Sequence, residues 1–382
     1  MEQLNRRQVI PAVIAVCVIA CALGFIWLKR LVDRKRPAVY ARALRQVVGR
    51  GDLKKAEWWL RNGANPNLPA QSSGRLALEV AVVSTRINKR EIVALLLDHG
   101  ADPNVVIPDG RPLIASVILH LSPELVPLFA EAGTDFNQRD KEGRTVLHNA
   151  VDSHLRNAAV FAALLEAGAD PNLQHKDGTT VLHQVAWQGL GQVSGRVEIM
   201  KTLIAHGADP NIKDNRGRTP LAGEVPARLV PLLVEAGSDL AVTDHDGLTP
   251  LAWVVQSGKM SKTAIAMIDK GADVNVEDKS GSTPLFWAAT HGDVALAKAL
   301  VAKGASVNHA NQRGFTPLHN AAGNFHKETV AYLVAQGAKL DVRNDKGLTP
   351  SAYAKTRSDS LTPEKAARKK ATSDCPEAPG SR

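Results

Sequence analysis

Cysteine is scarce, at three in 382 residues. Cys17 and Cys21 share an apolar stretch and Cys375 sits in a polar tail, so no disulfide framework can staple the fold. Aromatic residues make up only 4% of the chain, too few for the rows of stacking platforms that single-stranded nucleic acids need. HExxH, CxxC and GxSxG do not occur, and Gly189-Leu190-Gly191 lacks the third glycine and the preceding strand of a nucleotide loop. No metal, cofactor, catalytic or small-molecule substrate site is therefore expected. The formal charge is +9, yet residues 51–354 carry 30 Lys/Arg against 32 Asp/Glu. The excess lies at the ends: ten basic against two acidic residues in 1–50, and seven against four in 355–382. A near-neutral body argues against a nucleic-acid-binding face, and basic ends suit acidic surfaces such as lipid headgroups.

With 44% hydrophobic residues the chain can bury a large core, built from Ala, Leu and Val for want of rings. Long apolar runs are lacking except for Val9 to Leu28, twenty residues without a charge. At about 1.5 Å per residue this run matches a hydrocarbon core and is expected to be a transmembrane helix. Arg6 and Arg7 precede it, while Lys29, Arg30, Arg34, Lys35 and Arg36 follow, which favours a cytoplasmic body. Competing with an uncleaved anchor are a cleavage site at Ala20-Cys21-Ala22 and a lipobox-like Val18-Ile19-Ala20-Cys21 with Cys21 lipidated. Either would make an exported, periplasmic protein with a stress or inhibitory role.

The rest of the chain repeats. GRTVLH starts at Gly143, GTTVLH at Gly178, GRTPLA at Gly217, GLTPLA at Gly247, GSTPLF at Gly281, GFTPLH at Gly314 and GLTPSA at Gly347, with weaker forms at Gly74 and Gly110. Their spacings are 36, 33, 35, 39, 30, 34, 33 and 33. In each unit a Thr-Pro or Thr-Val step predicts a helix start, an Ala pair keeps that helix slim, an apolar stripe marks a second helix, and a glycine such as Gly304 stops it. An extended finger leads to the next unit. The unit at Gly178 has six extra residues near Leu190 to Gly195, and the next is three short with Pro226 where its first helix should end. The stack is expected to loosen and be cut by proteases there.

These units resemble the ankyrin repeat family over about residues 41–355. The resemblance implies an all-α repeat solenoid of about nine helix pairs plus partial caps. The expected order is a flank 1–8, the membrane helix 9–28, a basic linker 29–40, the array 41–355 and a disordered basic tail 356–382. It also implies that His148, His183 and His319 make structural hydrogen bonds between units, and that binding residues vary along the concave face. On this sequence that face holds Asp152, Ser153, Trp187, Gln188, Gln256, Ser257, Thr290, His291 and Asn324, with Phe315 as an exposed finger aromatic. Trp253 and Trp287 are expected to pack between units. The function implied is a membrane-anchored scaffold for a protein partner that is itself membrane-associated.

Overall fold

A computed structural model of the chain describes residues 37–69, 74–84, 88–119, 123–152, 157–187 and 193–359. The apolar run 9–28, Ser153, Gln188 and residues 360–382 lie outside them. Among the described residues no helix is long and apolar enough to cross a membrane.

The chain divides into two compact units at Lys141/Glu142. The first holds three helix pairs: α1 (37–50) with α2 (Leu53–Arg61), α3 (Ala77–Val83) with α4 (Lys89–Asp98), and α5 (Leu113–Leu119) with α6 (Val126–Glu131). The second holds α7 (Val146–Asp152) with α8 (Ala158–Glu166), α9 (Val181–Trp187) with α10 (Val193–Ala205), α11 (Val230–Glu235) alone, α12 (Pro250–Ser257) with α13 (Ser261–Asp269), α14 (Pro284–His291) with α15 (Val294–Ala302), α16 (Pro317–Gly323) with α17 (Lys327–Ala335), and α18 (Pro350–Asp359). First helices pack on first helices, as α12 on α14 on α16, and second helices on second helices, as α13 on α15 on α17. Each unit is thus two layers deep.

The local physics is plain in α14 and α15. Thr283 is extended and Pro284 follows at the first helical position, where its missing N–H costs nothing. Gly292 ends α14 at φ 73°, a left-handed conformation that an L side chain adopts only at a cost. Asp293 then caps α15 by accepting the Leu296 N–H at 3.0 Å. Leu285, Ala288, Ala289, Leu296, Ala297 and Leu300 are buried between the layers.

Two ladders tie neighbours together. In the first, an Asn side chain bridges two backbone groups of the next unit: Asn211 Nδ2 donates to the Gly237 carbonyl at 2.9 Å while its Oδ1 accepts the Asp239 N–H at 2.8 Å. Asn67, Asn104, Asn172, Asn275 and Asn308 make the same pair of bonds. The recurring Asp residues close the turns around it, as Asp209 does by accepting the Asn211 N–H at 2.8 Å. The second ladder is made by histidines. His148, His183 and His319 accept the N–H of Thr145, Thr180 and Thr316 at Nδ1, 3.3, 3.1 and 3.2 Å away. That fixes the proton on Nε2, which donates onward to the carbonyls of Thr179, Arg218 and Leu348 at 3.4, 3.1 and 3.0 Å. The implied structural role of these histidines is what the geometry displays.

Three features depart from the sequence expectations. The first helix of the unit at Gly217 is not short but absent: residues 219–229 run as turns. Gly223 and Pro226 prevent a continuous helical ladder, yet Leu221, Val225 and Leu229 are still fully buried. The six-residue excess is partly absorbed, because Val193, Ser194 and Gly195 form the first turn of α10. Buried Arg196 then donates to the Val185 and Ala186 carbonyls at the end of α9, 3.4 Å from each. The division between compact units falls at Lys141/Glu142 and not at this excess. Finally, α18 runs to Asp359, past the expected start of the tail.

Candidate functional site

Trp187 ends α9 beside the unit that lost its helix. Its Nε1 donates to the Pro220 carbonyl at 2.8 Å, its ring meets His183 edge-on with centroids 4.9 Å apart, and the Arg218 guanidinium lies 4.4 Å over it. Arg218 is itself held by buried Asp214 at 2.7 Å. The indole's polar atom and one face are therefore occupied inside the stack, and Trp187 serves as a joint between units.

Phe315 corrects the sequence expectation. It is 7% exposed, because Tyr353 of the next unit meets it edge-on at 5.0 Å and His319 lies 5.6 Å away. A finger aromatic looks exposed only until the following unit is stacked on it.

The candidates on α12, α14 and α16 do come together. His291 Nε2 donates to the Gln256 carbonyl at 3.0 Å, and His326 Nε2 donates to the Thr290 carbonyl at 3.0 Å. Thr290 also accepts from Asn320 Nδ2. The Ser257 hydroxyl donates to Val254 at 2.7 Å, and Asn324 is the half-buried C-cap of α16. Gln256 and His291 are exposed. Asp152 is the last residue of α7, which packs on α9.

Beside this row lies a groove of about 440 Å³, lined by Asp246, Leu248, Gln256, Asp278, Lys279, Ser280 and Trp287. It opens between the fingers at residues 244–248 and 278–282, where both connecting devices change. Four other pairs of neighbouring tips are joined backbone to backbone, as Asn215 N to Asp177 O at 2.9 Å and Gln312 N to Ser280 O at 3.0 Å. Here the link is the Lys279 ammonium, 2.9 Å from the His245 carbonyl. The Asn ladder also stops, because residue 241, in register with Asn211, is alanine.

Inside the groove Trp287 is half-buried and donates from Nε1 to Asp278 Oδ2 at 2.9 Å. Burial pushes the Asp278 carboxyl up, but hydrogen bonds from the Ser280 hydroxyl, the Ser282 N–H and Trp287 outweigh it and hold the group below the usual carboxylate range. Lys279 lies 3.7 Å from Asp246 across the mouth. The groove thus offers an ionised carboxylate, an amide, an ammonium and an indole to one or two entering side chains. Sequence reasoning placed Trp287 in packing and missed the groove; Ala241 where the ladder requires Asn was the available signal. Among the described residues no group of three or more His, Cys, Asp or Glu is placed to hold a metal ion.

Comparison with known proteins agrees with this architecture. The family model "Ankyrin repeats (3 copies)" matches residues 113–214, 223–311 and 291–361, and "Ankyrin repeat" matches residues 73–107. The helix pair α1 and α2 precedes all four matches. Proteins called "Ankyrin repeat and SOCS box protein 6" from human and from Pongo abelii are each 33% identical over 137 residues, covering 33% of this chain and 31% of theirs. The chain therefore spans about a third of the length of these relatives.

Proposed function

The chain belongs to the ankyrin repeat family, and from that premise we propose that it is a scaffold binding one protein partner at the groove between Asp246 and Lys279 and along Gln256, Thr290 and His291. The observation that carries this is that the Asn ladder and the backbone bond between tips are both missing at one pair of fingers. Closing them with an Asn and a backbone bond would add stability, whereas leaving them apart exposes an indole, a carboxylate and an amide where a partner's side chain can enter. The test is a photocrosslinking residue at position 256, at 290 and, as a control on the outer layer, at Lys298 in α15. One protein should be captured at the first two positions and not at the third, and Trp287→Ala should lower its measured affinity by at least tenfold. Equal capture at all three positions would refute the site.

In this reading residues 9–28 hold the array at a membrane, and the basic residues 29–36 keep it on the cytoplasmic side. The partner is then membrane-associated, because only a short linker separates array from bilayer. Intact mass of the membrane-extracted protein checks this: the full-length mass supports an anchor. A chain starting at lipidated Cys21, or at residue 23, makes it an exported protein of stress or inhibitory role.

A further inference from the structure

The end of a repeat stack ordinarily presents a polar face, because one side of the terminal unit meets water. The first helix pair breaks that rule. Among the described residues three large apolar side chains are more than half exposed, and two of them, Val39 and Trp58 at 56% each, lie on α1 and α2. Trp58 is one end of a row of rings: it meets Trp59 edge-on at 4.8 Å, and Trp59 meets Tyr40 at 5.1 Å. Half the tryptophans of an aromatic-poor chain are Trp27, Trp58 and Trp59, so two of the six stand on this one helix pair.

The charges around the rings have one prevailing sign. On α2, Lys54 and Lys55 lie one turn before Trp58 and Arg61 one turn after it, on the same helix face and all exposed. Lys55 and Arg61 also pair locally with Asp52 and Glu57, at 2.9 and 2.6 Å. Residues 37–63 nevertheless hold six Lys/Arg against two Asp/Glu, and residues 29–36 hold five against one. Indole rings flanked by cations are the combination that settles at the headgroup level of a bilayer: the ring sits among the acyl-chain ends and carbonyls while the cations meet lipid phosphates and carboxylates. Continuity with the chain points the same way, since eight residues, 29–36, separate the end of the apolar run at Leu28 from the first described residue of α1.

We infer that the face of α1 and α2 carrying Tyr40, Trp59 and Trp58 docks on an anionic lipid bilayer. This goes beyond the anchor proposed above and does not depend on it, because the rings and cations belong to the folded array. The face lies in the first compact unit and the groove in the second.

The experiment uses the full-length chain carrying Val16→Arg and Ala20→Arg, which removes the uncharged span. Flotation is measured with vesicles of phosphatidylcholine alone and of equal parts phosphatidylcholine and phosphatidylserine. Binding should favour the anionic vesicles by about tenfold or more and weaken as salt is raised. It should fall to the phosphatidylcholine level with Trp58→Ser, and fall markedly with Lys54→Glu, whose exposed side chain plays no part in packing. Unchanged thermal melts of both variants establish that they are folded. Equal flotation with both vesicles, no effect of Trp58→Ser, or a dimer that Trp58→Ser dissociates in the absence of lipid would each overturn the inference. The unaltered chain is floated alongside. If it floats with both vesicle types while the arginine variant floats with neither, the anchor stands and this inference fails; if both chains float with the anionic vesicles alone, this inference stands and the anchor fails.

Discussion

The indole of Trp187 occupies the space that a Cβ on Gly223 would need, so that even alanine at 223 would overlap it. This contact joins a complete unit to the one that has no first helix. Trp187→Ala removes a half-buried indole with its hydrogen bond and a stacked guanidinium, and is expected to cost about 2–3 kcal/mol. Gly223→Ala forces the ring aside and should cost about 1–3 kcal/mol. Because both changes damage one contact, the double variant should be less destabilised than the two added together, which chemical denaturation of all three will show.

The gap in the Asn ladder gives a prediction of opposite sign. Ala241→Asn should supply the bonds to the Gly271 carbonyl and the Asp273 N–H that Asn211 and Asn275 make in their own units, raising stability by about 1 kcal/mol. Asn308→Ala should lower it by about 1 kcal/mol by leaving two backbone groups to water. If the groove is a binding site, Ala241→Asn should also weaken the partner's affinity. Thermal melts and a binding isotherm read both effects.

The buried histidines make stability depend on pH. Burial pushes His183 from 6.5 down to about 4, outweighing the Arg218 carbonyl and Asp214 carboxylate that favour its proton; burial moves His319 the same way. Above pH 6.5 His183 is neutral in both states and its contribution is fully present. As pH falls the unfolded chain takes a proton that the fold refuses, so stability is lost down to about pH 4, amounting to about 3 kcal/mol for His183. Urea midpoints between pH 7 and 4.5 should fall accordingly, and less steeply in His183→Gln.

Phe325 tests two opposed terms. It holds φ 65°, the conformation that glycine adopts at 258 and 292, yet its ring is 6% exposed. Left-handed strain on a side chain costs about 1–2 kcal/mol, and losing a buried phenyl costs about 3–5 kcal/mol. Packing wins, so Phe325→Gly should destabilise by about 2 kcal/mol. Phe325→Ala keeps the strain and loses the ring, and should be the worse of the two in denaturant titrations.

Taken alone, the sequence determined the repeat length, the helix pairs except in the unit at Gly217, the Thr starts, the glycine stops and the excess near Leu190. Such signals act within a turn or two of chain, where caps, prolines and left-handed glycines decide the backbone whatever lies beyond. Tertiary structure decided the roles of side chains. Phe315 is buried because Tyr353 covers it from the next unit, Trp187 is a joint because Gly223 leaves room for it, and a groove opens beside Trp287 because two fingers lack the bonds that close the others. Each of these depends on a partner about one repeat away, and the fate of a surface in a stack is set by the neighbour laid against it.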